Sequence, residues 1–147
     1  MSEVADPVEL PAGLRRAISR LSRRLRQTRA GADLTPSQFE VLVTIVAQEP
    51  IRLAELAEIE GLNPTMLSRV VGKLESSGLV ARSSDAGDLR VVHLTACAGG
   101  HELVARVRRE RADALSVALD GLTATERSVL AAALPVLEAL AERLKPQ

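Results

Sequence analysis

Residues 53–80 read LAELAEIEGLNPTMLSRVVGKLESSGLV, and their punctuation decides the fold. Leu53, Leu56, Ala57 and Ile59 give a short amphipathic helix over roughly 53–60. Gly61 stops it, because glycine takes a left-handed turn without a Cβ clash. Asn63 then caps a new helix, and Pro64 suits the first helical position. Leu67, Val70, Val71 and Leu74 form the buried stripe of this second helix, which ends at Gly78. Two short helices joined by about three residues containing Gly are a helix-turn-helix. Ala57 sits near the crossing, where a larger side chain would hold the helices apart.

Once the stripe is assigned, Thr65, Ser68, Arg69 and Gly72 remain at i, i+3, i+4 and i+7 on one face. Lys73 lies beside them. Small hydroxyl residues let a helix sit deep in the major groove of DNA, and Arg reaches a guanine edge or a phosphate. An ordinary solvated helix face has the same composition, so the face alone leaves both readings open. The segment GLVARSSDAGDLRVVHLTA (78–96) shifts the balance. It has strand-like runs at Leu79–Arg82 and Arg90–Leu94 around a loop with Asp85, Gly87 and Asp88. A hairpin directly after a helix-turn-helix is a wing. Arg90, expected at the return strand, is suited to a minor groove, and Asp88 to holding its guanidinium. A plain surface ion pair across the hairpin is the alternative.

Upstream, LTPSQFEVLVTIVAQ (34–48) carries a strongly specified start: Thr35 as cap, Pro36 at the first position and Gln38 completing a capping box. Leu34 and Phe39 are spaced for a hydrophobic staple across it. Earlier still, Pro11 opens a helix with Leu14, Ile18, Leu21 and Leu25 at helical spacing and Arg on the other faces. Downstream, HELVARVRRERADALSVAL (101–119) reads as one long helix, and Gly121 separates it from another. Thr123 and Glu126 form a capping box for that last helix, which Pro135 is expected to kink. Leu130, Leu134, Leu137, Leu140 and Leu144 leave it more apolar surface than one short helix can bury by itself.

The 147 residues are one domain's worth, with 19 basic and 19 acidic side chains and zero net charge. Bulk attraction to nucleic acid is therefore excluded, and any DNA contact must rest on the placement of a few charges. Residues 14–29 hold seven Arg and no acid, whereas 30–61 hold six acids and only Arg52. The Arg run at 15–29 reads as a solvated face before an anion site. No apolar run approaches a membrane span, the acidic N-terminus lacks a signal peptide's pattern, and a lone Cys97 suits a reducing compartment. A cytoplasmic location is expected.

The pieces LTPSQFEVL, LAELAEIEGL, TMLSRVVGKLESSGLV, DLR and HLT, in that order, resemble the MarR family of bacterial transcriptional regulators over nearly the whole chain. The resemblance implies a mostly α fold with a small β-hairpin wing: a winged helix-turn-helix flanked by N- and C-terminal dimerisation helices. It implies one domain over 1–147, with a DNA-binding core at about 34–95 and dimerisation helices at about 8–29 and 96–145. Leu14, Ile18, Leu21, Leu137, Leu140 and Leu144 are the expected dimer residues. A monomer whose terminal helices pack only on each other is the alternative.

In the family the second helix enters the major groove and an Asp-x-Arg wing places its Arg in the minor groove. By that resemblance Asn63, Pro64, Thr65, Ser68, Arg69, Lys73, Asp88 and Arg90 are the expected DNA-binding residues. Gly72 departs from the family, many members of which carry an acid there. A second departure is Ala98, where a Gly is usual, followed by Gly99 and Gly100. Two glycines in a first helical turn cost ~2 kcal/mol relative to Ala, either as a soft joint or as a tolerated irregularity.

One Cys and two His, His93 and His101, cannot build a structural zinc site, and both His read as surface residues. No nucleophile sits at a strained turn and no Gly-rich phosphate loop occurs, so neither enzymatic activity nor a cofactor is expected. Some MarR relatives sense oxidants through a Cys in the first helix. Cys97 lacks that context and reads as a small packed hydrophobe. The resemblance also implies a small anionic or apolar effector in a cleft, although Phe39 is the single aromatic available to stack on it. The expected function is a sequence-specific homodimeric repressor of double-stranded DNA with no membrane association. Half-sites should lie one helical turn apart. The competing class is a winged-helix protein-interaction module that does not read DNA.

Overall fold

The capped helix starts expected at Thr35, Asn63 and Thr123 occur with their hydrogen bonds in the computed structural model, which describes residues 9–27 and 33–144. Helix α1 spans Glu9–Leu25 and α2 spans Pro36–Gln48. Thr35 accepts from the Gln38 N–H at 3.2 Å, while the Gln38 side chain accepts from the Thr35 N–H at 2.9 Å. Strand β1 (Ile51–Arg52), α3 (Leu53–Glu60) and α4 (Pro64–Ser76) follow. After them come β2 (Val80–Ser84), β3 (Val92–Ala96), α5 (Ala98–Asp120) and α6 (Ala124–Arg143). The expected helix ends at residues 8, 28–29 and 145 lie outside the described residues. The chain forms two compact units, residues 1–111 and 112–147.

In the first unit Gly61 stops α3 in the left-handed region at φ 62°, and Asn63 Oδ1 accepts from the Met66 N–H at 2.8 Å to start α4. That local chemistry fixes the turn between the two helices. α4 buries Leu67, Val71 and Leu74, with Val70 partly buried beside them. These side chains join Phe39, Val41, Leu42 and Ile45 of α2, Leu56 of α3, and Leu103, Val104 and Val107 of α5 in one core. Each such burial stabilises by roughly 1.5–3 kcal/mol. Leu34 packs against the cluster that holds Phe39, as a staple requires.

Three expectations need correction here. The wing is not a lone hairpin: β1 adds an edge strand, giving the antiparallel order β1-β3-β2, with Ile51 opposite Leu94 and Arg52 opposite His93. The hairpin strands also sit about two residues later than expected, so Arg90 lies in the loop before β3 instead of on the return strand. Ile59 is 51% exposed. At about 100° per residue, Leu53, Leu56, Ala57 and Glu60 share the inner arc of α3 and Ile59 falls outside it. Glu60 uses that inward position to accept a hydrogen bond from the Thr44 hydroxyl.

Gly100 has a structural reason. The Leu79 carbonyl lies over the first turn of α5 and accepts from the Cys97 N–H at 2.9 Å. A Cβ at position 100 would overlap that carbonyl oxygen and approach Leu42 Cδ1 to 3.3 Å. Gly100 is thus neither a soft joint nor an accident: it lets α5 dock on the junction between α4 and β2. Glu49 braces the same region, accepting from the Ala96 N–H at 2.6 Å and meeting His101 Nε2 at 2.7 Å. His101, read as a plain surface residue, is paired.

In the second unit Thr123 accepts from the Glu126 N–H at 3.2 Å and Glu126 accepts from the Thr123 N–H at 2.8 Å, completing the expected box. These bonds hold the Glu126 carboxyl below its ordinary range, the Thr123 backbone N–H contributing most. α6 runs through Pro135 to Arg143 unbroken, so the proline removes one hydrogen bond to Ala131 without ending the helix.

Candidate nucleic-acid interface

α4 presents its polar face because its apolar stripe is consumed by the core. Thr65, Ser68, Arg69 and Lys73 are exposed, and a Cβ at Gly72 would meet nothing within 4 Å. Gly72 therefore has no packing reason to be glycine. Met66, the one large hydrophobe on this surface, is 53% exposed. Asn63 spends its side-chain oxygen on the cap, so its part in any contact is to fix where α4 begins. Arg82 Nε meets Glu75 Oε2 at 2.9 Å, an exposed pair tying α4 to β2 and worth at most about 1 kcal/mol.

The wing loop is held by its aspartates. Asp85 Oδ1 accepts from the Gly87 N–H at 2.7 Å, and its Oδ2 meets His93 Nε2 at 3.2 Å. The Gly87 N–H first, and His93 next, keep the Asp85 carboxyl below its ordinary range. His93 thereby has a role in the wing that its sequence position did not reveal. Asp88 Oδ1 accepts from the backbone N–H of Arg90 at 2.9 Å, and Val91 N–H donates to the Asp88 carbonyl at 3.0 Å. This corrects the expected pairing of Asp88 with the Arg90 guanidinium. The carboxylate shapes the turn, as Asx turns do, and leaves the guanidinium unpaired among the described residues.

Arg90 lines a cleft of about 390 Å³ between the wing and the starts of α3 and α4. Pro64 and Leu67 of α4 border it, so the structure brings the wing arginine next to the beginning of the helix-turn-helix's second helix. Arg52 lines the cleft as well, a residue that motif reading passed over. Its signal was present in the sequence: it is the single basic residue of 30–61. Phe39 is buried, with the Arg111 guanidinium carbon 5.1 Å from its ring centroid, so that ring is engaged internally. Among the described residues no group of three His, Cys, Asp or Glu side chains is placed to hold a metal ion. No described helix is long and apolar enough to cross a membrane.

Of the expected dimer residues, Ile18 and Leu21 on α1 are exposed, as are Leu137, Leu140 and Leu144 on α6, while Leu14 is partly buried. Neither helix has a buried residue.

Residues 34–92 match the family model described as MarR family. An HTH-type transcriptional regulator of Mycobacterium bovis is 32% identical over 133 residues, covering 90% of this chain and 93% of the relative. A MarR family protein from Bacillus stearothermophilus superposes with TM-score 0.76 at 25% identity, covering 92% and 94% of the two chains. FabT of Streptococcus pneumoniae, solved in complex with DNA, shares the fold at TM-score 0.64 and 20% identity, covering 93% and 95%. A winged helix-turn-helix with an exposed polar second helix, together with these matches, makes this chain a member of the MarR family.

Proposed function

We propose that the protein is a homodimeric repressor that recognises a pseudo-palindromic DNA operator. Residues of about 34–95 do the reading, and the terminal helices α1, α5 and α6 hold two copies together. α4 lies in the major groove with Thr65, Ser68 and Arg69 toward the bases and Lys73 toward the backbone. Arg90 reaches the neighbouring minor groove. Asn63, Pro64 and Asp88 set the positions from which these side chains act.

The observation that carries this reading is the Arg90 guanidinium, unpaired among the described residues, beside the start of an exposed, hydroxyl- and Arg-bearing α4. The relative solved with DNA uses the same fold. Dimerisation is supported by two terminal helices without one buried residue between them. Leu or Ile side chains exposed at helical spacing on each of these helices favour cover by a partner. With no net charge to drive nonspecific binding, specificity rests on the placed arginines.

The test is selection of binding sites from a random duplex library, with light scattering of the selected complex. The expected result is a two-fold-symmetric consensus with half-site centres one helical turn apart, bound by two chains. Recovery of no enriched sequence, with no salt-dependent shift on any duplex, would favour a protein-interaction module instead.

A further inference from the structure

Arg52 and Arg90 come from different elements, the β1–α3 junction and the wing loop, yet they line one cleft. Its other lining residues are Leu53, Ala54, Ala57, Pro64, Leu67, Val91 and Val92, all without a side-chain acceptor. The register places Arg52 opposite His93, at the sheet edge that faces no further strand. Among the described residues neither guanidinium has a hydrogen-bond or ion-pair partner. The two nearest acids in sequence are spent elsewhere: Glu49 on the Ala96 N–H and His101, and Glu55 on the Arg52 backbone N–H at 3.2 Å.

Two unpaired guanidiniums over an apolar floor attract an anion, and the floor offers nothing to compete for them. We propose that Arg52 is a backbone clamp: it grips the DNA phosphate that crosses the cleft between the groove entered by α4 and the groove reached by Arg90. The proposal rests on the DNA-binding reading and adds a residue to it. A phosphate suits the position better than a base, because Arg52 lies off the exposed face of α4. Groove walls are lined by phosphates, and contacts to them fix register without reading sequence. Arg52 and Arg90 would then hold one strand from two sides, and the wing could not shift along the groove independently of α3.

The experiment compares the parent protein with Arg52→Gln and Arg52→Lys on two probes: a duplex selected by the parent from a random library, and a scrambled duplex of equal length. Affinity is measured across a salt series. Arg52→Gln should weaken binding about five- to tenfold on both probes alike. It should also flatten the plot of log K against log salt by roughly 0.9 per bound protomer. Arg52→Lys should keep the parent's salt slope, since a phosphate accepts either cation. Thermal melts of both variants should match the parent, because the Arg52 side chain bonds to nothing among the described residues.

An unchanged slope for Arg52→Gln, with the parent binding normally, would overturn the clamp and leave the DNA reading standing. A loss confined to the selected duplex would mean a base contact and would equally overturn it. A parent that binds neither probe would remove the DNA reading, and the clamp with it.

Discussion

The middle helices of this chain and its terminal helices contrast sharply. In the first unit α2 and α4 each surrender a full apolar stripe to one core, and Leu42, Ile45, Leu67 and Leu74 are wholly buried. α1 and α6 carry equally regular leucine spacings yet bury no residue. Hydrophobic periodicity reports which side of a helix wants to leave water, and says nothing about which molecule will cover it. In the middle of the chain the answer is the chain itself. At its terminal helices the proposed cover is a second copy.

Leu137→Arg on α6 should produce the largest effect of a single substitution. Placing a charge within the apolar stripe should abolish the dimer in light scattering while the first unit's core remains folded by circular dichroism. A dimer that survives would show that α6 does not form the interface.

Gly100→Ala tests the core side of the contrast. With its Cβ against the Leu79 carbonyl, the backbone must shift, at a cost of about 1–3 kcal/mol in denaturant unfolding. An unchanged midpoint would show that α5 docks less tightly than described.

Glu49→Ala removes the acceptor for the Ala96 N–H and the partner of His101 together. Stability should fall by about 1–3 kcal/mol. Glu49→Gln should retain most of the Ala96 bond and lose less.

Gly72→Ala reverses the sign. An added Cβ meets open space in mid-helix, so the free protein should gain up to about 1 kcal/mol of stability. A destabilised Gly72→Ala would reveal packing on that face and weaken its assignment as a free surface.

What could be read from the residues, and what could not, follows the range of the forces involved. The caps at Thr35, Asn63 and Thr123 and the stop at Gly61 were legible, because each is settled within four residues by a side chain or a backbone angle. β1 was not, since two residues carry no period and its pairing with Leu94 and His93 arrives from forty residues away. Gly100 looked like a defect until the distant Leu79 carbonyl was seen to need the space. Asp88 was assigned to the right turn but to the wrong donor: an adjacent backbone N–H is closer and less mobile than a guanidinium on a long stem. Of the proposed interface, helical spacing gave the exposure of Thr65, Ser68 and Arg69 on α4 but left its use open. Arg52 became visible only when the fold placed β1 beside the wing.

In the proposed complex α4 and the wing approach different grooves, and binding titrations of Arg69→Ala and Arg90→Ala at fixed salt separate the two contacts. Duplexes would vary either the bases under α4 or the A·T content of the flanks. Arg69→Ala should cost about 1–3 kcal/mol when its contact is to a base edge, with a loss that varies with the bases under α4. Arg90→Ala should show a loss that follows flank A·T content and groove width instead. If neither substitution weakens binding even twofold, or if both losses follow the same bases, the two-groove account is wrong.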